Sequence, residues 1–498
     1  MSLDNQTPPE GTIREWLDAR AEAGGRAVVF PETGDELSWT ALREGALGFA
    51  RSLTARGVAK GESVAIIAPN SHEALCAFYG AAYGGFRAVM INLAAGRDAI
   101  AYALEHSEAR FAYVHPDCND LFAAAAGEGM TSLPLGGDDE EAALHDVAPT
   151  DHALLMYTSG TTGRPKGVVH SHASLLAGGW TTAVAHRLAP QDRGFCVLPI
   201  YHINGLCVTV MGSLVSGGSL AMTGRFSASQ FWAQAGAAEV TWFSVVPTII
   251  SHLLHGKGEP DAECRARLRF GRSASSALAV ETQQAFEARF DVPIIETMGL
   301  TETAAQILSN PLPPEPRKIG SPGVAYGCEV QIQDGEGHEV PRGEDGEIVV
   351  RGPNVMVEYL KNPEATEGTF RDGWLRTGDV ARMDGDGYVF VTGRLKELII
   401  KGGENIAPRE VDEALYTHPD VVEAAAFART CTRYGETVEA AVRVCDGSQL
   451  DPAQLIEICR DRLGPFKTPD KVHFMAELPK GPSGKIQRLK LADILPPA

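Results

Sequence analysis

Residues 62–93 read ESVAIIAPNSHEALCAFYGAAYGGFRAVMINL, and this stretch decides the fold class. ESVAIIAP is a short, continuous apolar run closed by proline, which predicts a buried strand. HEALCAFYGAAYGG spaces its apolar residues as a helix does and stops at a glycine pair; RAVMINL is the next strand. Two buried strands joined through a helix are the sequence form of a parallel crossover unit. The rhythm returns at RGFCVLPI (193–200), GGSLAM (217–222), VTWFSVVP (240–247) and VPIIETMG (292–299), predicting a layered α/β fold with largely parallel sheets.

From residue 324 the texture changes. GCEVQIQDGEGHEVPRGEDGEIVVRGP (327–353) alternates β-rich runs with Gly-Asp and Gly-Glu turns, which predicts a β-rich subdomain. GYVFVTGRLKELIIKGGENIAPREVDEAL (387–415) then passes from strand through Gly393 to a Gly-Gly loop and an amphipathic helix. The expected class is α/β: a large N-terminal domain, residues 1–393, of layered α/β subdomains plus the β-rich one, then a small α+β C-terminal domain, residues 394–498.

Composition narrows the partners. The 498 residues are 44% hydrophobic and 22% charged, as in an ordinary globular protein, and the formal net charge of −20 disfavours nucleic acid and anionic membrane surfaces. Nine cysteines without a CxxC pair fit reduced thiols in a cytoplasmic protein rather than a disulfide frame or zinc site. The start, MSLDNQTPPEG, lacks a basic and an apolar segment, and the most apolar window, residues 75–96, carries an arginine, an asparagine and several glycines; neither secretion nor membrane insertion is expected.

The chemistry starts at YTSGTTGRPKG (157–167). Thr158, Ser159, Thr161 and Thr162 offer hydroxyls, Gly160 and Gly163 let backbone N–H groups approach a ligand, and Lys166 adds a cation. This is a phosphate-binding loop, and it does not meet the P-loop pattern. MGLTET (298–303) places Thr301 beside Glu302 at a strand end, where a carboxylate near phosphates can hold Mg²⁺; read alone it is a helix cap with an acidic first turn. RTGDV (376–380) and GRLKE (393–397) supply Asp379 and Arg394 beside turn glycines. PKGPSGKIQR (479–488) carries Lys485 on a Gly-Ser loop, either a deliverable cation or a solvated tail. His202 in LPIYHING is a buried histidine at a strand end or a residue gating a pocket.

Taken together, YTSGTTGRPKG, LPIYH, GLTE, RTGD, GRLKELIIKGGENIAP and PKGPSGK occur in an order and at spacings that resemble the adenylate-forming superfamily of acyl-CoA synthetases, luciferases and peptide-synthetase adenylation domains. The resemblance implies an AMP-binding and acyl-binding large domain and a mobile C-terminal domain that serves two half-reactions. A carboxylate attacks the α-phosphate of MgATP, giving an acyl-adenylate and pyrophosphate; the thiol of coenzyme A then attacks the acyl carbon. It assigns Thr158, Ser159, Gly160, Thr161, Thr162 and Lys166 to the β- and γ-phosphates, Thr301 to the α-phosphate and Glu302 to Mg²⁺. It assigns Asp379 and Arg394 to the ribose hydroxyls, Lys485 to the substrate carboxylate and α-phosphate, Lys396 to the hinge, and Gly402 and Gly403 to the pantetheine tunnel. Met298, before Gly299, stands where the family usually stacks an aromatic residue on adenine.

Within the superfamily, GRFSASQFW (224–232), VTWFSVVPTI, LRFGRSASSAL (268–278) and ILSNPLPP resemble the oxalyl-CoA synthetase branch, which takes a small, doubly charged acid. Arg272 and Ser273 match that branch; His202, Asn204 and Ala305 complete the expected acyl pocket, with Asn204 and Ala305 standing where the branch carries histidines. Arg272 reads as a partner for a second anionic group or as half of a structural salt bridge. The implied substrate is a small polar or anionic carboxylic acid: oxalate-like, sulfonated, hydroxylated or a short dicarboxylate. The alternatives are loading of a carrier protein, ligation of an aryl or short aliphatic acid, and a non-catalytic binding protein, against which the intact Glu302, Asp379, Arg394 and Lys485 argue. A homodimer is left open.

Overall fold

The computed structural model describes residues 4–135, 142–158, 165–481 and 486–496. Ser63–Ile67, His72–Gly84 and Arg87–Met90 follow one another as strand, helix and parallel strand, as the opening stretch predicts. Every residue of Ser63–Ile67 is buried, because a parallel strand is covered on both faces. The helix begins where the Ser71 hydroxyl accepts from the Ala74 N–H and ends at Gly85, whose φ of 82° suits glycine.

Among the described residues, two mainly parallel sheets share one core. The first has nine strands, including Arg193–Cys196, Trp242–Val245, Phe270–Ser273 and Ile294–Leu300; the second has seven, including Ser63–Ile67, Arg87–Met90 and the hairpin strands His152–Thr158 and Lys166–Ser171. Val64, Met90 and Leu154 of one sheet and Trp242, Phe270 and Ile295 of the other belong to a single apolar cluster, joined by the helices Trp39–Ala55, His72–Gly84 and His172–Ala185. The β-rich region is an antiparallel five-stranded sheet that includes Asp345–Arg351, Trp374–Met383 and Val389–Arg394. A separate five-stranded sheet, including Ile399–Lys401, Val421–Cys431 and Gly435–Val444, packs with the helices Pro408–Tyr416 and Pro452–Lys467 around its own core. The architecture is thus a large N-terminal domain followed by a C-terminal domain. No helix among the described residues is long and apolar enough to cross a membrane.

One expectation needs correction. Segment 157–167 reads as loop throughout, yet its ends are strand: Tyr157 pairs with Gly167 and Thr158 with Lys166 as the last rungs of an antiparallel ladder. Backbone pairing above the buried Leu155 and Val169 supplies the cohesion that these side chains lack. Ser159, Gly160, Thr161, Thr162 and Lys485 lie outside the described residues, as does most of the acidic stretch that precedes the hairpin.

Candidate active site

The parallel strands of the nine-stranded sheet end at a cavity of about 240 Å³ whose wall includes Met298, Gly299, Asp379 and Arg394 from the large domain side and Arg409 and Arg488 beyond it. Open α/β sheets bind ligands at this end of their strands. Gly299 sits at a register shift against the strand Ala305–Ser309, and a Cβ there would lie 1.4 Å from the Ala305 carbonyl oxygen, so the close backbone approach admits only glycine. Ala304 and Ala305, at φ 45° and 79°, hold a positive-φ backbone immediately after the turn Thr301–Thr303, a strain of about 1–3 kcal/mol per residue that the surrounding strands sustain.

Asp379 and Arg394 come from motifs fifteen residues apart in sequence, and the antiparallel pairing of their strands makes them direct cross-strand neighbours. Arg394 Nε donates to Asp379 Oδ1 at 2.6 Å. Burial works against the Arg394 charge, but Asp379, with help from Glu397 and Glu302, outweighs it and holds the guanidinium above its ordinary value. Met298 lies beside this pair on the cavity wall.

At the hairpin strand Lys166–Ser171, Lys166 places Nζ 4.5 Å from the centre of the Tyr359 ring, and the Tyr359 hydroxyl donates to Glu302 Oε1 at 2.8 Å. Tyr359 reaches this position because Glu358–Tyr359 pairs with the strand Lys166–Ser171. Burial, reinforced by the Glu302 charge, pushes the Tyr359 hydroxyl up, so it remains a donor. Behind the Thr-Glu pair, His170 Nε2 donates to the Thr301 carbonyl at 2.7 Å, and burial pulls His170 down to about 4, keeping it neutral. Glu302, a single carboxylate in reach of Tyr359, fits Mg²⁺, which is held by one or two carboxylates together with substrate phosphates; no cluster of three or more His, Cys, Asp or Glu forms a closed metal cage among the described residues.

The acyl-side residues separate in an instructive way. Arg272 is 1% exposed, and its Nη1 donates to Asn204 Oδ1 at 2.7 Å and Ser244 Oγ at 3.1 Å, while Nε donates to Gln306 Oε1 at 3.2 Å. No carboxylate among the described residues pairs with it, so the salt-bridge reading of Arg272 does not hold. Burial lowers its pKa to about 9, which leaves it charged at neutral pH. Asn204 Nδ2 in turn donates to Ser275 Oγ at 3.2 Å, and Ser275 lines the cavity. Ser273 is fully buried, but as the next residue on the strand Phe270–Ser273 it points to the opposite sheet face, in register with Val245 and Glu296. Its Oγ has no partner among the described residues. His202 is half-buried rather than buried, with its ring 5.0 Å from that of Tyr201, and Ala305 offers only a methyl group.

Residues of the C-terminal domain line one side of the cavity, and one ion pair, Arg409 to Glu296 at 3.9 Å, reaches across to the large domain. Within the C-terminal domain Arg409 reaches Glu413 at 3.4 Å and Arg488 pairs with Asp412 at 2.5 Å. Burial pushes Glu296 and Glu413 above the ordinary carboxylate range. Ile486, next to Lys485 in sequence, lines the same cavity. Lys396 is exposed in the turn after Arg394, and Gly402 and Gly403 turn the hairpin between Ile399–Lys401 and Glu404–Ile406 at φ 60° and 89°. None of these three lines the cavity.

Sequence reasoning passed over Tyr359, His170, Ser244, Gln306, Ser275 and Arg409. Ser244 and Gln306 carried a signal, since each is a polar residue inside an apolar strand run; the others depend on pairings distant in sequence.

Comparison with known proteins shows the family. Residues 17–360 match the family model described as AMP-binding enzyme, and residues 410–485 match the AMP-binding enzyme C-terminal domain. The chain is 44% identical over 479 residues to a sulfoacetate–CoA ligase of Cupriavidus necator, covering 93% of this chain and 94% of that protein. It is 34% identical over 459 residues to an oxalate–CoA ligase of Arabidopsis thaliana, covering 88% and 89%. The crystal structure of ATP-bound MatB from Rhodopseudomonas palustris superposes with a TM-score of 0.90 at 31% identity, over 98% of this chain and all of that one. With both of its domains matched in order and relatives of 34–44% identity covered over most of their length, the chain belongs to the AMP-binding enzyme family, the adenylate-forming acid–thiol ligases that use ATP and coenzyme A.

Proposed function

We propose that this AMP-forming carboxylate–CoA ligase activates a small acid carrying a second anionic group, of which sulfoacetate and short dicarboxylates are the leading examples. The observation that carries this reading is Arg272, a buried guanidinium bonded only to neutral acceptors and linked to the cavity wall through two hydrogen bonds, Arg272 to Asn204 and Asn204 to Ser275. A buried charge without a counterion costs several kcal/mol, and an anionic ligand is what would offset that cost. The similarity to sulfoacetate–CoA and oxalate–CoA ligases supports the same substrate class.

In the first half-reaction a carboxylate oxygen of the acid attacks the α-phosphorus of ATP and pyrophosphate leaves; in the second, the sulfur of coenzyme A attacks the acyl carbon and AMP leaves. Thr158 and Lys166, at the rungs of the hairpin that carries the phosphate loop, are assigned to the β- and γ-phosphates. Thr301 is assigned to the α-phosphate, its backbone pinned by His170. Glu302, oriented by Tyr359, would hold Mg²⁺, which supplies charge neutralisation at the phosphates when bound. The Asp379–Arg394 pair is net neutral and suits the ribose hydroxyls, with Met298 packing on the base. Lys485 is assigned the charge that crowds the α-phosphate during adenylation.

The hinge is assigned near Lys396, which puts the domain boundary just after Arg394, one residue beyond the 393/394 division read from the sequence. The strand Val389–Arg394 belongs to one sheet and Ile399–Lys401 to the next, so a turn of only a few residues joins the two bodies. The nine free cysteines support the cytoplasm as the compartment. The function is tested by pyrophosphate release with ATP, Mg²⁺ and coenzyme A over oxalate, malonate, glycolate, sulfoacetate, acetate and benzoate. The reading expects the doubly charged acids to lead; acetate or benzoate leading would refute it, and AMP release that did not depend on coenzyme A would point to another acceptor.

A further inference from the structure

We propose that Asn204 and Gln306 are specificity-positioning residues whose carboxamides hold Arg272 in place without neutralising it. This rests on the reading that Arg272 serves the second anionic group of the substrate. Both amides are locked with their carbonyl oxygens toward the guanidinium. Gln306 Nε2 donates to the Thr181 carbonyl at 3.3 Å, which turns Oε1 toward Arg272 Nε, and Gln306 is itself fully buried. Asn204 Nδ2 donates to Ser275 Oγ, which turns Oδ1 toward Arg272 Nη1 and Ser244 Oγ. Three neutral oxygens therefore fix Nε and Nη1, and the positive charge remains uncancelled in a dry environment where electrostatic attraction is strong.

A carboxylate at either position would have nearly the same shape and would bond the same guanidinium nitrogens more strongly. It would also turn the site into an internal ion pair of the Asp379–Arg394 kind, which no longer attracts an anion. The neutrality of residues 204 and 306 is thus what separates recognition of a doubly charged acid from recognition of a singly charged one. The sequence shows amides at both positions, and the fold shows why acids there would defeat the site.

The test compares malonate with malonamate, which match in shape and differ by one charge, in CoA-thioester formation by the wild type, Gln306→Glu, Gln306→Met and Asn204→Asp. The proposal expects the malonate-to-malonamate ratio of kcat/KM to fall about tenfold or more in Gln306→Glu and Asn204→Asp, chiefly through the KM for malonate. Gln306→Met, which removes the acceptor without adding charge, should lower the ratio less than Gln306→Glu. A merely structural role would lower the values for both acids together and leave the ratio alone. Should Gln306→Glu fail to fold, judged by loss of ATP-induced thermal stabilisation, Asn204→Asp decides. A high wild-type ratio that survives both charge-introducing substitutions overturns the positioning role alone; a wild-type ratio near one overturns the substrate reading and this proposal with it.

Discussion

Two arginines of this molecule meet opposite fates. Arg394 is half-buried and bonded to a carboxylate, Asp379, at 2.6 Å; Arg272 is buried and bonded to two amides and a hydroxyl. The first forms a unit of no net charge whose remaining donors and acceptors suit a sugar. The second keeps a full positive charge where water does not reach, an arrangement that costs stability and is useful only if an anion arrives. The difference teaches that the informative property of a buried charge is what it lacks as a partner.

The comparison can be broken by removing each arginine in turn. The larger effect is expected at Arg394. Arg394→Met strips the buried Asp379 carboxylate of its counterion, costing about 1–3 kcal/mol and lowering the melting temperature by several degrees, and it raises the KM for ATP while leaving the preference among acids intact. Thermal unfolding and ATP titration check both. Arg272→Met should do the reverse. It removes an uncompensated buried cation, so the melting temperature of the ligand-free protein is expected to stay level or rise, within about 2 kcal/mol, while activity toward doubly charged acids falls. A drop of several degrees in Arg272→Met would mean that this arginine is structural and that the contrast with Arg394 is false.

Much of this was open to a reader of the sequence alone. The α/β class shows in residues 62–93 because strands buried on both faces must be apolar throughout, and Ser63–Ile67 is. The Thr-Glu, Asp and Arg motifs stand out in the sequence because their residue types suit the groups assigned to them. What stayed hidden depends on register. Arg272 stands 68 residues from Asn204 and 34 from Gln306, and only the packing of three elements joins them. Tyr359 reaches Lys166 and Glu302 only through its pairing with Val168. The separation of Arg272 from Ser273 was open to inference, because neighbours on a strand face opposite ways, yet pairing them by motif concealed it.

The central claim is that the unpaired charge of Arg272 selects the second negative charge of the acid. The most direct measurement is the ratio of kcat/KM for sulfoacetate and its singly charged analogue methylsulfonylacetate, in the wild type and in Arg272→Met. The account predicts a wild-type preference for sulfoacetate of about 100-fold, the worth of a buried charge-assisted contact, that collapses toward one in Arg272→Met. A preference that persists after the arginine is gone, or that is absent from the wild type, would contradict it.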